Sequence, residues 1–325
     1  MFARRSRPAG RSIRHDRAIG IAVGFLADLL LADPRRGHPV AGFGIAATRL
    51  EKLTYADHRG AGMLHTTLLL GGLAGLGWAA GRGNRTMVTA VATYVALGGT
   101  SLNRVGARMA TLLAADDMPA ARALLPSLCG RDPAALDAAG LTRATVESLA
   151  ENTSDAQVAP LFWAAFGGVP GVLVYRGANT LDAMIGHRSP RYHRFGWAAA
   201  RFDDVLNYIP ARLTGLLAVL CAPVVDGSPR AAARAWRRDA ARHPSPNAGV
   251  AEASFAGALG VRLGGPTQYA HQLEIRPTLG DGRIPEVPDV ARTVRLSRAV
   301  QAGAAVVAVV LSVACRSGRR SSPRR

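Results

Sequence analysis

The stretch VAPLFWAAFGGVPGVLVY, residues 158–175, is apolar along its length but is interrupted by GGVPG. Glycine and proline break or kink a helix, and a broken helix at membrane depth is tolerated where it is buried in protein or lines a cavity. The stretch therefore predicts either one kinked membrane span or two half-helices that meet inside a helical bundle. Both alternatives predict a cavity beside the break.

Polar clusters flank this stretch on both sides, with ENTSD before it and NTLDAMIGH after it. On a helix, Glu151 and Asp155 share one face, as do Asn179 and Asp182, because side chains three or four residues apart are neighbours. The acidic first turn of a helix is an alternative explanation for Glu151 and Asp155.

A third cluster, RFDDVLNYIPAR at residues 201–212, leads directly into the apolar run LTGLLAVLCAP. Asp203 and Asn207 lie four residues apart and predict one polar helix face, and Asp204 and Arg212 lie on a second face. Such groups cost several kcal/mol each when they are buried unpaired in hydrocarbon. A helix with only a structural role would avoid them.

Together the three clusters bring five carboxylates and three asparagines to the ends of apolar segments. Oxygen ligands without histidine or cysteine suit Mg²⁺, which takes one or two carboxylates and substrate phosphates. The clusters therefore indicate phosphate chemistry, with Asp155, Asp203 and Asp204 as candidate metal ligands. The alternative is that Arg201 and Arg212 simply neutralise Asp203 and Asp204 in a buried network.

Further apolar runs indicate a polytopic membrane protein, as does a hydrophobic content of 49%. Residues 62–81 and 86–106 are each long enough to cross a bilayer core of about 30 Å and are joined by GRGNR, which predicts a transmembrane hairpin. Residues 299–315 form the clearest single span. Residues 19–32 predict a short membrane helix or interfacial anchor, and Asp28 argues against a signal peptide.

The predicted fold is all-α, with four to five transmembrane helices, a broken or re-entrant helix and a soluble face of helices and loops. Residues 107–157 and 226–297 are expected to form this face, with helices at about 229–242 and 247–263. No alternating pattern that would indicate a strand is apparent.

One membrane-embedded domain is predicted over residues 19–315, with a basic extension at 1–18 and a basic tail at 316–325. Arginine-rich tails favour the cytoplasm, but the loops between the spans are basic too, so the positive-inside rule leaves the orientation open.

The net charge of +18 does not indicate a nucleic-acid-binding protein, because no aromatic stacking pattern accompanies the arginines. Lys52 is the only lysine, so part of the charge reflects a general preference for arginine. Cys129, Cys221 and Cys315 indicate neither a disulfide framework nor a zinc site, and no bound redox cofactor is expected. The sequence has no Walker A, GxGxxG, HExxH or GxSxG motif.

Several longer segments are similar, in order along the chain, to one known family. They are ENTSDAQVAPLFWAAFGGVPGVLVYRGANTLDAMIGH, RYHRFGWAAARFDDVLNYIPARLTGLL and HPSPNAGVAEASFAGALGVRLGG, with DPRRGHPV earlier in the chain. Over roughly residues 19–315 the sequence resembles the CobD/CbiB family of adenosylcobinamide-phosphate synthases, integral membrane proteins of cobalamin biosynthesis. One departure is GHRSPRY, where relatives tend to carry an aromatic residue and a lysine, so Arg188 would have to replace that lysine.

The resemblance implies that the protein attaches aminopropanol, or its O-phosphate, to the f-side-chain carboxylate of adenosylcobyric acid through an amide bond. This ligase reaction needs activation of the carboxylate, for which ATP and Mg²⁺ are the expected cosubstrate and cofactor. The acidic clusters would hold Mg²⁺ against a polyphosphate, Arg201 and Arg212 would stabilise the transferring phosphoryl group, and His38 or His243 would receive the amine proton.

The candidate site residues fall into two groups. The candidate catalytic residues are Glu151, Asp155, Asp182, Asp203, Asp204 and His38. The candidate substrate- or phosphate-binding residues are Asn152, Asn179, Asn207, Arg201, Arg212, His243 and Asn247.

The expected partners are the corrinoid substrate, aminopropanol or its phosphate and the lipid bilayer, and other membrane enzymes of cobalamin biosynthesis are candidate protein partners. The expected location is the inner or plasma membrane, crossed several times, with the active face in the cytoplasm, where ATP and the corrinoid are expected.

A transporter for an anionic solute or corrinoid is the main alternative, because broken helices are common in transporters, but the sequence has no matching broken segment in a second half. A membrane phosphotransferase would need a DGxxAR-like motif, which RFDDVLNYIPAR does not supply. A purely structural or sensory protein would leave pathway flux unchanged when Asp182 and Asp204 were replaced by asparagine.

Overall fold

The computed structural model describes residues 9–34, 37–187, 189–268 and 273–314. Its helices are α1 (Ala9–Leu31), α2 (Pro39–Thr54), α3 (Arg59–Ala80), α4 (Arg85–Ala96), α5 (Gly99–Ala114), α6 (Met118–Leu124), α7 (Ala138–Thr153), α8 (Ala159–Leu181), α9 (Trp197–Cys221), α10 (Pro229–Asp239), α11 (Ala248–Leu259) and α12 (Val287–Ala314). The strands are β1 (Leu263–Gln268) and β2 (Leu273–Leu279). The predictions for residues 1–8 and 316–325 and for Arg188 lie outside the described residues.

The predicted all-α membrane fold is confirmed. By length and composition, four helical segments could cross a membrane: Arg59–Ala80, Ala138–Gly186, Trp197–Val225 and Val287–Ala314. The second of them contains a break at Gly168. Two of the four segments agree with the spans predicted at residues 62–81 and 299–315, up to residues 80 and 314 respectively.

The span predicted at residues 86–106 is wrong, because the chain breaks between α4 and α5. α4 has 12 residues, which gives a length of about 18 Å, too short for a bilayer core. At the break, the Gly98 backbone N–H donates a hydrogen bond of 3.0 Å to the Ala156 carbonyl. The predicted transmembrane hairpin is therefore reduced to α3 followed by a short helix.

α1 begins at Ala9, within the segment predicted as a basic extension. Within this first part, Ala18 is buried, and Arg17 Nη1 donates a hydrogen bond of 3.0 Å to the Ala165 carbonyl. α1 packs mainly against α4. The end of the basic extension is thus part of the helical bundle.

The GGVPG sequence divides α8 into two half-helices, at residues 159–167 and 169–181. Gly168 lies between them with φ 61° and ψ −151°, a conformation that is essentially restricted to glycine. The two halves fold back on each other, because Tyr175 Oη donates a hydrogen bond of 2.9 Å to the Asp155 carbonyl. Of the two predicted alternatives, the structure has the half-helices and not the kinked span.

A short π-helical turn flanks the hairpin of half-helices on each side, at Ser154–Val158 and Asp182–Gly186. π turns are rare and are frequently found at functional sites. Each turn carries an aspartate, Asp155 or Asp182. Because the half-helices return to the same end of the bundle, the two aspartates lie near each other.

The antiparallel hairpin of β1 and β2 was not predicted. Gly264, Gly265, Pro266 and Pro277 interrupt any alternation of polar and apolar residues, so the usual strand pattern is missing. Gly264 and Gly265 have φ values of 84° and 88°, and the register shifts beside them. The helix predicted to reach residue 263 ends at Leu259, because Gly260 adopts the left-handed conformation.

Candidate active site

A polar cleft of about 350 Å³ opens where the half-helices, α7 and β2 meet. Its lining residues are Leu128, Cys129, Gly130, Arg131, Ser148, Glu151, Asn152, Asp155, Asn179, Asp182, Ala183 and Arg276. Several of the sequence-predicted residues are therefore brought together from two separate motifs.

One wall of the cleft is acidic. Glu151 and Asp155 come from the end of α7 and the π turn that follows it, and Asp182 comes from the second π turn. Asn152 and Asn179 also line the cleft, and Asn152 Nδ2 donates a hydrogen bond of 2.9 Å to the Ser148 carbonyl. Glu151 and Asp155, which helical spacing placed on one face, line the same cleft, and so do Asn179 and Asp182.

Arg131 and Arg276 give the cleft a basic side that the sequence did not reveal. Arg131 lies in the loop before α7, and Arg276 lies on the unpredicted strand β2. Only a proline-bounded turn follows Arg131 in the sequence, and no local pattern singles out Arg276 among the many arginines. Their proximity depends on long-range packing.

A buried network of charges holds the two arginines in place. Arg131 pairs with Glu147, whose Oε1 also accepts a hydrogen bond of 2.6 Å from the Gly264 backbone N–H. Arg276 lies 4.0 Å from Glu147 Oε2 and 3.5 Å from Glu252 Oε1. Buried charges of this kind require close partners. The network therefore fixes the β-hairpin against α7 and α11.

His243 is part of this network and does not line the cleft. Its Nε2 contacts Arg276, a donor, and lies 3.6 Å from Glu252 Oε1. Neutral His243 that accepts from Arg276 at Nε2 carries its proton on Nδ1 and donates it to the Ser245 carbonyl oxygen at 3.1 Å. Burial and the charge of Arg276 lower the pKa of His243 from 6.5 to about 4. Burial raises the pKa of Glu252, although Arg276 opposes this shift. His243 is thus a neutral residue that supports Arg276.

Asp203 and Asn207 form a buried layer beside the cleft. Asn207 Nδ2 donates a hydrogen bond of 2.9 Å to Asp203 Oδ2, and Tyr175 Oη donates one of 3.0 Å to Asn207 Oδ1. Tyr175 also bonds to the Asp155 backbone. The layer therefore supports the π turn that carries Asp155.

The other predicted residues of α9 lie outside the cleft. Arg201 Nη1 is 3.5 Å from Asp204 Oδ2, whereas Arg212 Nη1 donates a hydrogen bond of 2.9 Å to Asn247 Oδ1. Asn247 in turn donates to the Asp204 backbone carbonyl at 2.8 Å. Neutralisation by arginine therefore applies to Asp204 but not to Asp203. These contacts join α9 to α11.

His38 lies in a separate hollow of about 410 Å³, together with Asp33 and Arg176. It caps α2, because its Nδ1 accepts a hydrogen bond of 3.1 Å from the Val40 backbone N–H. Its Nε2 lies 3.5 Å from Asp33 Oδ1. With Nδ1 occupied as an acceptor, the neutral form of His38 carries its proton on Nε2 and can donate a hydrogen bond from that nitrogen.

The chain is similar in sequence to a known protein family. Residues 21–297 match the family model described as "CobD/Cbib protein". The chain belongs to the CobD/Cbib family. The matched region contains every residue of the cleft.

Relatives named "Cobalamin biosynthesis protein CobD" are similar over nearly their whole length. The one from Mycobacterium bovis is 64% identical over 304 residues, which are 92% of this chain and 97% of the relative. The one from Mycobacterium tuberculosis strain H37Rv is 65% identical over 91% of this chain and 96% of the relative. A more distant one, from Geobacter metallireducens, is 44% identical over 79% and 84% of the two chains. No solved structure matches this CobD/Cbib chain.

The cleft of this CobD/Cbib protein contains oxygen donors that fit Mg²⁺ when the ion is shared with a substrate. Within the described ranges, no group of three or more histidine, cysteine, aspartate or glutamate residues is arranged to hold a metal ion by itself. Asp155, Asp203 and Asp204 do not form such a group, because the neighbouring positions 203 and 204 on α9 point to different faces. One or two cleft carboxylates with phosphate oxygens would still complete a magnesium site.

Cys129 also lines the cleft. Burial raises the pKa of its thiol, so the thiol is protonated at neutral pH and is a poor nucleophile. The chemistry of the cleft therefore depends on its carboxylates, amides and arginines.

Proposed function

We propose that this chain is a membrane-bound ligase of cobalamin biosynthesis. It attaches aminopropanol, or aminopropanol O-phosphate, to the f-side-chain carboxylate of adenosylcobyric acid, with ATP as the energy source. Family membership and the names of the relatives support a role in cobalamin biosynthesis. The amide-forming reaction is the finer part of the proposal.

The main support for the proposal is the cleft, in which Glu151, Asp155 and Asp182 face Arg131 and Arg276. A ligase must hold negatively charged phosphates and a carboxylate close together, which requires both a cation and fixed positive groups. Mg²⁺, when bound, neutralises phosphate charge. The acidic wall suits the ion, and the arginines suit the phosphoryl and carboxylate oxygens, to which guanidinium groups bind in a bidentate manner.

The proposed reaction proceeds in two steps. An oxygen of the corrinoid carboxylate attacks the γ-phosphorus of ATP, and ADP leaves as an acyl phosphate forms. The amine nitrogen then attacks the acyl carbon, inorganic phosphate leaves, and the nitrogen gives up a proton. Arg131 and Arg276 stabilise the charge on the transferring phosphoryl group, and a cleft carboxylate that is not bound to Mg²⁺ accepts the proton.

The hollow around His38 is suited to the far end of the amine substrate. Arg176 borders this hollow, and its Nη1 donates a hydrogen bond of 3.5 Å to Asn179 Oδ1, which belongs to the cleft. Arg176 and the Nε2 proton of His38 would bind the hydroxyl or phosphate oxygens of aminopropanol. The amine would then point toward the cleft.

The proposed substrates imply where the protein lies in the cell and which molecules it binds. The protein crosses the cell membrane several times, with the cleft on the cytoplasmic side, where ATP is available. The corrinoid and aminopropanol, or its phosphate, are the small-molecule partners. Other membrane enzymes of the pathway would associate with the same face.

The test uses purified membranes that carry the protein, supplied with adenosylcobyric acid, ATP, Mg²⁺ and each amine in turn, with the product identified by mass. We expect a mass gain that matches amide formation and that requires Mg²⁺. Asp182→Asn should lower the rate about 100-fold or more, because it removes a charge that faces the reacting phosphate. Asp57→Asn is the matched control, since Asp57 is exposed and pairs with Arg194 outside the cleft.

Asp204→Asn tests whether the loss of activity is specific to carboxylates that line the cleft. Because Asp204 lies outside the cleft, we expect a smaller loss of rate than with Asp182→Asn. An equal loss in both variants would contradict the assignment of the cleft. No product with either amine, from protein shown to be folded, would contradict the ligase.

Transport of an anionic solute remains the second candidate, since the half-helix hairpin is also a feature of transporters. It predicts uptake of a labelled corrinoid into sealed vesicles without any change in mass.

A further inference from the structure

A second cavity, of about 480 Å³, lies at the break in α8. Three arginines line it, Arg17 from α1, Arg82 from the loop after α3, and Arg85 from the start of α4. Trp78 and residues 167–170 complete its wall. The cavity that the GGVPG break predicted is therefore present, and it is basic.

This cavity and the polar cleft lie at opposite ends of α3. Near its start, α3 packs at Gly62 against the backbone of Phe195, in the loop that follows the second π turn. Near its end, it packs at Gly77 against Pro170, in the wall of the second cavity. α3 has 22 residues, which gives a length of about 33 Å, enough to cross a bilayer core. The basic cavity therefore lies at the opposite membrane surface.

Two of the arginines of this cavity, Arg82 and Arg85, form no salt bridge with any residue that the structure describes. No carboxylate is among the described residues that line the cavity. Arg82 lies over the ring of Trp78, with 3.5 Å between its guanidinium carbon and the ring centroid. Arg17 is held by its hydrogen bond to the Ala165 carbonyl. The guanidinium groups of the cavity can therefore bind an anion.

The surface around the cavity is apolar. Leu76, Trp78 and Met87 are 59%, 59% and 62% exposed on α3 and α4. Tryptophan is enriched at the boundary between lipid and water, and arginine side chains at helix ends extend to the same level. An anion that enters here would therefore meet the arginines while the rest of its molecule contacts an apolar helix surface.

We propose that this cavity binds the headgroup phosphate of an anionic phospholipid, whose acyl chains lie along α3 and α4. Basic pockets between membrane helices suit such headgroups, and guanidinium groups bind phosphate oxygens in pairs. The bound lipid links the start of α1 to the half-helix hairpin.

The experiment measures lipid retention by native mass spectrometry. Protein is purified from nanodiscs that contain equal amounts of phosphatidylglycerol and phosphatidylcholine. We expect preferential retention of phosphatidylglycerol by the unaltered protein, and a loss of this preference by about tenfold or more in the double variant Arg82→Gln, Arg85→Gln. The matched control, Arg104→Gln with Arg108→Gln, removes two exposed arginines of α5 outside both cavities and should keep the preference.

Three results would overturn the proposal. Equal retention of the two lipids by the unaltered protein would contradict an anionic lipid site. A preference that survives in the Arg82 and Arg85 variant would place the lipid elsewhere. Displacement of phosphatidylglycerol by an excess of inorganic phosphate would assign the cavity to a soluble phosphate instead of a lipid.

Discussion

Arg276 connects the polar cleft with the buried charges behind it. Its guanidinium lines the cleft and lies 3.5 Å from Glu252 and 4.0 Å from Glu147. We predict that Arg276→Met destabilises the protein by about 3 kcal/mol, because a buried carboxylate loses its partner. The measurement is the midpoint of thermal unfolding in detergent.

Two further variants test the reason for this loss. Arg276→Lys keeps the charge but loses the paired donors, so its midpoint should lie between those of the unaltered protein and of Arg276→Met. Adding Glu252→Gln to Arg276→Met should restore part of the stability. If the double variant is no more stable than Arg276→Met, the loss of stability does not come from the unpaired Glu252 carboxylate.

The lowered pKa of His243 predicts that the stability of the protein depends on pH. Its pKa of about 4 in the folded protein lies below the ordinary value of 6.5, so between these values the unfolded chain binds a proton that the folded protein does not. Stability from this residue is complete above pH 6.5 and is lost as the pH falls toward 4, by at most about 3 kcal/mol. His243→Asn should remove this component, since an asparagine side chain does not titrate.

The comparison between His243→Asn and the unaltered protein is needed because Glu252 also titrates and acts in the opposite direction. Burial raises the pKa of Glu252, which favours the folded state as the pH falls. We expect the unfolding midpoint of the variant to decrease less than that of the unaltered protein between pH 7.5 and pH 5, because about 2 kcal/mol of the contribution from His243 is lost over that range. Parallel pH curves would contradict the assignment.

Among the elements, α8 depends most on a single residue. Gly168 has φ 61° and ψ −151°, and a side chain in this region costs about 1–3 kcal/mol. A Cβ atom there would also lie 3.1 Å from Arg17 Nη2. We predict that Gly168→Ala lowers the unfolding midpoint in detergent and weakens the hairpin of half-helices.

Gly167→Ala is the control for this prediction. A Cβ atom at Gly167 would meet its nearest neighbour, Trp163 Cε3, at 3.6 Å, which is an ordinary contact. We expect little change from this variant. If both alanines lower the midpoint equally, the loss comes from steric contacts beside α8 and not from the backbone conformation of Gly168.

Local sequence determined which elements could be predicted. GGVPG marked the break in α8, because glycine and proline act on the backbone next to them. The β-hairpin and the π turns were not predicted. The hairpin is held by the Glu147 carboxylate at Gly264, and one π turn is held by Tyr175 at the Asp155 carbonyl. Those contacts join residues that are far apart in sequence, and no local periodicity contains them.

The residues of the cleft also divide into those that a local sequence pattern indicates and those that only long-range packing brings there. That Glu151, Asp155 and Asp182 lie together could be predicted, because they are on polar helix faces beside an apolar run. Arg131 and Arg276 were not found, because they reach the cleft only through the packing of a loop and a strand. For the same reason, the sequence could not separate Asp203, beside the cleft, from Asp204, which pairs with Arg201.

The arrangement of the whole molecule makes a prediction about its orientation in the membrane. α3 joins the end of the molecule with the cleft to the end with the basic cavity, so the loops before and after α3 should lie on opposite sides. Asp57 is exposed before α3 and Gly83 is exposed after it. Since the proposed ligase needs ATP, Asp57 should face the cytoplasm and Gly83 the outside.

Single cysteines at these positions, in a chain in which Cys129, Cys221 and Cys315 are replaced by serine, would report the orientation through an impermeant maleimide. In intact cells whose outer barriers admit the reagent, Gly83→Cys should be labelled and Asp57→Cys should not, whereas both should be labelled after permeabilisation. Labelling of Asp57→Cys alone in intact cells would put the cleft outside, away from ATP, and would contradict the ligase. Labelling of both before permeabilisation would mean that α3 does not cross the membrane, in which case the basic cavity and the cleft would share one surface.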